Sequence, residues 1–184
     1  MLKKTLGWLP LSSKWLIENF QKKSNIDSSW IKKARFVQLH NIDVTEDPVR
    51  PQLDLTWRKS FGRKIFGLQH DDEILAVVCL AFTDEVPHSV RELDLMCRVV
   101  STFEGSANIA VAYTVWSNRK GAGKRIMQKV LEYAKTKGLE RVVTLSPLTP
   151  VATHYHIRNG AKLIALNTSA QNFEYSLKPT LKEN

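Results

Sequence analysis

Cysteine is scarce: only Cys79 and Cys97 occur in 184 residues, both in apolar, strand-like runs. No histidine or second cysteine stands at a metal-binding spacing, so a pair of buried thiols and no metal centre are expected. Long apolar runs are missing too. Nothing approaches the ~18 residues of a membrane-spanning helix. The opening Met1-Leu2-Lys3-Lys4 has the look of a signal peptide, but Pro10, Lys14 and Glu18 break the apolar stretch and no small-residue cleavage site follows. A cytoplasmic protein is expected. Acidic residues are in deficit, with 18 Asp and Glu against 27 Lys and Arg, a net charge of +9. Such a surface attracts polyanions, among them nucleic acid, anionic lipid, coenzyme A and acidic carrier proteins. No nucleic-acid motif accompanies the charge, and no internal repeat or low-complexity tract is present.

What remains is the composition of one soluble domain, 43% hydrophobic and 24% charged. Residues 1–62 read as a helical segment packed on the domain, rich in tryptophan (Trp8, Trp15, Trp30, Trp57) and lysine. An amphipathic helix is expected over 12–22, and Asp27 is placed to cap another before Trp30. Residues 34–40 fit a strand or a helix end, and 51–61 fit a helix stopped by Gly62. From 63 to 184 the pattern is that of the core. Residues 63–70 and 73–82 read as a hairpin about Asp71-Asp72. Strands are expected at 93–101 and 107–116. The apolar stripe Ile126, Met127, Val130, Leu131 and Ala134 predicts a helix over 121–137, ended by Gly138. Then come a strand at 140–146, a short helix at 150–158 closed by Asn159-Gly160, and strands at 161–167 and 172–178. This order predicts an α+β fold, a mixed, mostly antiparallel central sheet flanked by helices.

Two stretches carry chemistry. Ser117-Asn118-Arg119-Lys120-Gly121-Ala122-Gly123-Lys124 joins a strand to the long helix. Glycines there let backbone N–H groups approach an anion, and a helix N-terminus adds partial positive charge. The loop lacks the full patterns of a P-loop or a dinucleotide-binding turn. Solvated lysines on a tight turn are the alternative. Farther on, Ser146 and His156 stand ten residues apart across a strand, a turn and a short helix. His154 and His156, two apart on a helix, point about 200° from each other, so only one can face a common site. Thr144 lies one pleat from Ser146 on the same face. No third residue evidently orients the histidine, which speaks against covalent catalysis.

Asn118-x-x-Gly121-x-Gly123 resembles the pyrophosphate loop of the GCN5-related N-acetyltransferase (GNAT) superfamily, with Asn118 in place of the usual Gln or Arg. The order of elements is similar as well. Val143-Thr144-Leu145-Ser146-Pro147, Pro150-Val151-Ala152 and His156-Ile157-Arg158-Asn159-Gly160-Ala161 resemble segments of one branch, malonyl-CoA decarboxylase. Ala112-Tyr113-Thr114-Val115 and Asn172-Phe173-Glu174-Tyr175 are similar to its neighbouring strands. The likeness covers about residues 63–178. This chain lacks that family's long insertion between serine and histidine segments and its large helical N-terminal domain, although similar shortened domains serve as decarboxylases in polyketide loading modules.

The resemblance implies a coenzyme A thioester between strands 107–116 and 140–146. Thr114, Val115, Asn118, Arg119, Lys120, Gly121, Ala122, Gly123 and Lys124 would hold it. Ser146 and His156 would be catalytic, with Thr144 able to stand in for Ser146. The implied reaction decarboxylates malonyl-CoA, or a malonyl-type thioester on an acidic acyl carrier protein, to the acetyl thioester through an enolate. The alternatives are an N- or S-acyltransferase that uses acetyl-CoA, with Glu73, Glu85 or Asp94 as base, and a non-catalytic module that binds coenzyme A or an acyl carrier.

Overall fold

Seven strands form one sheet in the order β1-β2-β3-β4-β5-β7-β6. The computed structural model describes residues 30, 33–103 and 107–178; the helix expected over 12–22 and the cap at Asp27 lie outside them. The chain falls into two compact units, Met1–Lys33 and Ala34–Asn184, and the sheet belongs to the second. Among the described residues, no helix is long and apolar enough to cross a membrane.

The strand β1 (Arg35–Leu39) forms where the sequence allowed a strand or a helix end, and pairs antiparallel with β2 (Lys64–His70). Phe36 stacks on Phe66 across that pair at 4.6 Å. Between them lie a 3-10 turn at Val44–Glu46 and the helix α1 (Leu55–Lys59). That helix is shorter than the 51–61 reading because Asp54 caps it, its carboxylate accepting from Trp57 N at 2.7 Å. A tight turn about Asp71 leads into β3 (Glu73–Thr83), whose residues from Leu75 to Ala81 are all buried.

The strand expected at 93–101 is instead the helix α2, Val90–Thr102. Ser89 caps it by accepting from Glu92 N at 3.1 Å, while the Glu92 carboxylate accepts from His88 N at 2.8 Å. This reciprocal arrangement is a strong helix-start signal. Leu93 and Cys97, one turn apart, supply the buried stripe. Leu95 and Val99 made the segment look strand-like, yet they are 53% and 54% exposed. Tertiary packing overrides β propensity here.

The remainder follows the sequence pattern closely. β4 (Ile109–Ser117) pairs antiparallel with β3 and parallel with β5 (Arg141–Thr144). The helix α3 (Ala122–Thr136) crosses between them and buries Ile126, Met127, Val130 and Ala134. Gly138, at φ +68°, ends it. The helix α4 (Pro150–Arg158) starts at Thr149, and Gly160 at φ +87° reverses the chain. β6 (Lys162–Leu166) and β7 (Gln171–Tyr175) complete the sheet, β7 antiparallel to both β5 and β6.

Candidate active site

β4 and β5 part company halfway along their length. The parallel ladder runs from Ile109–Arg141 to Ala112–Thr144 and stops. Beyond it, β4 continues to Ser117, whereas the other strand turns away at Pro147, which has no N–H to offer. A bulge occurs in β4 at the same level, since Cys79 opposes Thr114 and Leu80 opposes Ala112, leaving Tyr113 without a partner on β3. The resulting cleft of about 630 Å³ has the outer half of β4 as one wall. Pro147, Thr149, Val151, Ala152, Tyr155 and His156 form the other, and Glu46, Pro48 and Val49 lie at its rim.

Ser146 and His156 meet in this cleft. Ser146 is held in register by two backbone bonds of 2.9 Å with Gln171, one in each direction. Its Oγ lies 2.8 Å from His156 Nε2 and 3.1 Å from Thr144 Oγ1. Thr144 is fully buried, accepts from Phe173 N at 3.1 Å and does not line the cleft, so it stands behind Ser146. His154, by contrast, is exposed and lines a separate shallow groove with Leu148 and Ile157.

The sequence reading finds nothing to orient the histidine; the structure supplies Tyr175. Its hydroxyl lies 2.9 Å from His156 Nδ1, and Phe173 stacks on the ring at 4.9 Å. Thr144, Ser146, His156 and Tyr175 thus form one hydrogen-bonded chain that can run in either direction, as the two imidazole tautomers exchange donor and acceptor. Burial lowers the His156 pKa from 6.5 to about 4, and burial also raises that of Tyr175. At neutral pH the ring is therefore uncharged and the phenol protonated. Sequence spacing alone does not join Tyr175 to the histidine, because it lies 19 residues away on β7.

The loop between β4 and α3 closes one end of the cleft. Gly121 adopts φ +87° at the start of α3, a conformation open to glycine at no steric cost. The first-turn N–H groups of a helix have no intrahelical acceptors, and among the described residues only that of Ala122 is taken, by Arg119 O at 3.1 Å. A side chain at Gly123 would meet the Tyr155 hydroxyl at 3.2 Å; that hydroxyl donates to Gly123 O at 2.8 Å and ties α4 to α3. Of the residues expected to hold a cofactor, Thr114, Val115, Asn118 and Gly123 line the cleft. Arg119, Lys120 and Gly121 form the turn beside it and Ala122 and Lys124 the first turn of α3, with Arg119, Lys120 and Lys124 exposed. The Thr114 hydroxyl is already engaged, donating to Asp47 at 2.9 Å. Asp47, Arg50 and Arg58, all buried beneath the cleft, carried no recognisable signal in the sequence.

Residues 33–161 match the model of the acetyltransferase (GNAT) family. The chain belongs to that family. Three solved structures share the family's fold. A malonyl-CoA decarboxylase from Cupriavidus metallidurans superposes with a TM-score of 0.60 at 16% identity, over 88% of this chain and 66% of the other. The loading GNATL domain of CurA from Lyngbya majuscula gives 0.56 at 16% identity, over 78% and 98%. A Bacillus subtilis acetyltransferase in complex with CoA gives 0.52 at 11% identity, over 77% and 95%. This chain thus spans just under two thirds of the decarboxylase chain. Among curated protein sequences none matches. The GNAT parting of β4 and β5 is what makes the cleft, and it sets Ser146 and His156 on the wall opposite β4.

Proposed function

We propose that this chain removes carbon dioxide from malonyl-CoA, or from a malonyl-type thioester on an acyl carrier protein, and releases the acetyl thioester. The observation that carries the reading is the Ser146–His156 pair, 2.8 Å apart, in a cleft made by parting strands. The coenzyme A portion lies along the outer half of β4. Its diphosphate meets the start of α3, where free N–H groups, the helix dipole and Arg119, Lys120 and Lys124 favour an anion. The family fold and the coenzyme A in the related Bacillus subtilis structure support this placement.

In the reaction the bond between Cα and the carboxylate breaks. Carbon dioxide leaves, the electron pair passes into the thioester as an enolate, and a proton is added to Cα. Among the described residues lining the cleft, Glu46 is the only charged one, and Pro48, Val49, Ala112, Val115 and Trp116 present apolar surface. A malonyl carboxylate held there loses water, and spreading its charge into carbon dioxide and enolate becomes more favourable. Ser146 Oγ–H or His156 Nε2–H donates to the thioester oxygen as charge builds on it. Because His156 is neutral, the proton returned to carbon comes from a neutral O–H or N–H of the Tyr175–His156–Ser146 chain, and the anion left on that chain takes a proton from water to complete the turnover. His156 acts as part of a buried neutral relay. The neutral ring is also a weak base toward Ser146, which weighs against a covalent acyl-serine.

Substituting Ser146 by alanine is expected to lower the decarboxylation rate by ~10²–10³, the usual cost of one oxyanion donor. Steady-state assay of malonyl-CoA turnover reads this directly; an unchanged rate removes Ser146 from the mechanism. Charge reversal at Arg119 and Lys120 together is expected to weaken coenzyme A binding, with a shallower salt dependence than the wild type shows. Calorimetry at two ionic strengths measures it, and equal affinity and salt response contradict the loop assignment.

A second reading is acyl transfer from acetyl-CoA to an amine or thiol. Glu46 favours it, being the carboxylate at the cleft rim. The three carboxylates expected as bases do not line the cleft: Asp94 sits on α2 between Arg63 and Arg98, both at 2.8–2.9 Å, Glu73 lies 4.0 Å from Arg119, and Glu85 is exposed in a loop. Acetyl-CoA consumption that requires an added amine or thiol distinguishes this reading. A non-catalytic binding module consumes neither thioester.

A further inference from the structure

Arg50 stands at the point where β4 and β5 separate. It lies on the segment between the 3-10 turn and α1, and it is 6% exposed. One guanidinium nitrogen donates to Tyr113 O on β4, and the other donates to Leu145 O, just past β5, at 2.9 Å. Both carbonyls are ones the sheet leaves unpaired. Tyr113 is the bulged residue of β4. In an unbroken parallel ladder Leu145 O would accept from Thr114 N–H, the next bond after Leu145 N to Ala112 O at 3.1 Å, but past the bulge Thr114 pairs with Cys79 on β3 and its N–H is turned away. The following bond of that ladder is impossible, because residue 147 is proline.

The backbone of Arg50 is fixed in turn. Arg58 donates to Arg50 O at 2.7 Å and to Asp47 at 2.8 Å, and Asp47 accepts from Thr114 on β4. The guanidinium is therefore delivered to the gap from a loop anchored to one of the two strands it bridges. Its planar fork spans two acceptors on different strands, which a single ammonium cannot do in the same geometry.

We infer that Arg50 is a positioning residue that braces β4 against the end of β5 where they part, and so sets the width of the cleft in which the thioester is bound. It bridges Leu145 O and the carbonyl of the Tyr113 bulge, so one guanidinium fixes the spacing of the two strands just past the end of their ladder. Resting on the thioester reading of the cleft for its ligand, the inference has a structural consequence that is independent of any ligand.

The test uses the full chain with Arg50→Lys and Arg50→Met, each checked by circular dichroism and thermal melting. Folded Arg50→Lys is expected to bind coenzyme A about tenfold more weakly than wild type, as suits the loss of one charged hydrogen bond. Guanidinium ion at low millimolar concentration is expected to restore binding to Arg50→Gly, whereas methylammonium does not. In a crystal structure of Arg50→Met, the separation of Tyr113 O and Leu145 O is expected to change by about 1 Å or more, because nothing then bridges the two acceptors. Wild-type affinity in folded Arg50→Lys, or an Arg50→Met structure with that separation unchanged, overturns the bracing role and leaves the thioester reading intact. If the wild type binds no coenzyme A while the separation changes in Arg50→Met, the bracing role stands and the thioester reading falls. Should Arg50→Met fail to fold, the affinity of Arg50→Lys decides.

Discussion

Replacing His156 by alanine is expected to slow malonyl-CoA decarboxylation by ~10²–10⁴, the range for loss of a positioned proton donor, with coenzyme A affinity close to that of the wild type. The ring bonds to Ser146 on one side and Tyr175 on the other, neither of which is among the residues assigned to the diphosphate. Its removal therefore disconnects the proton chain without disturbing the main binding contacts. Equal losses of turnover and affinity would count against a chemical role. His156→Gln keeps more of the packing against Phe173 and serves as the control for cavity effects.

The same residue makes stability depend on pH. The folded pKa is about 4 and the ordinary value is 6.5, so the unfolded chain takes up the proton first as pH falls. Where the unfolded state binds more protons, stability rises with pH. The contribution of neutral His156 is thus fully present above about 6.5 and is lost on acidification toward about 4. Melting temperatures of the wild type are expected to fall more steeply over this window than those of His156→Gln. Parallel slopes would show that the ring is not held neutral by burial.

The largest effect on stability is expected at Arg58. Its side chain and that of Asp47 are both fully buried, 2.8 Å apart. Arg58 also donates to Leu53 O at 2.8 Å and to Arg50 O at 2.7 Å. Arg58→Met leaves the Asp47 carboxylate and two carbonyls short of donors in a site that water does not reach. Breaking a buried pair from one side costs ~3–5 kcal/mol. For a chain of this size that corresponds to a fall in melting temperature of about 10 °C or more. Asp47 keeps its bonds from Thr114 and Val49 N, so the loss is partial at the carboxylate and severe at the loop. Replacing Asp47 by Asn and Arg58 by Met together is expected to recover part of the stability, because no unpaired charge is then left buried. A single variant that melts with the wild type would show that the 47–58 segment is not anchored through this pair.

Local pattern and tertiary assembly contributed differently to what could be read beforehand. The stripe on α3, the glycine at its start and the Asn159-Gly160 stop are local signals, and the elements formed where those signals lie. Ser146 and His156 were visible because serine, turn and helix are contiguous in the chain. The segment 93–101 reads as a strand when apolar residues such as Leu95 and Val99 are taken alone, whereas the Ser89–Glu92 cap and the packing of Leu93 and Cys97 make it a helix. Tyr175, Asp47, Arg50 and Arg58 were not legible for another reason. Their contacts with the site span 19 to 95 residues of sequence, and only the sheet order brings β7 and the 44–58 segment to it. The neutrality of His156 likewise follows from packing against Phe173 and Tyr175, which no spacing rule reports.

The most direct measurement is the mass of the product formed from malonyl-CoA in deuterium oxide with no acyl acceptor present. Proton return to an enolate predicts acetyl-CoA carrying one deuterium in its methyl group, formed at a rate that His156→Ala and Ser146→Ala both suppress. A malonyl thioester that survives intact, whether on coenzyme A or on an acyl carrier protein, while acetyl-CoA is consumed once an amine or thiol is added, would contradict the account.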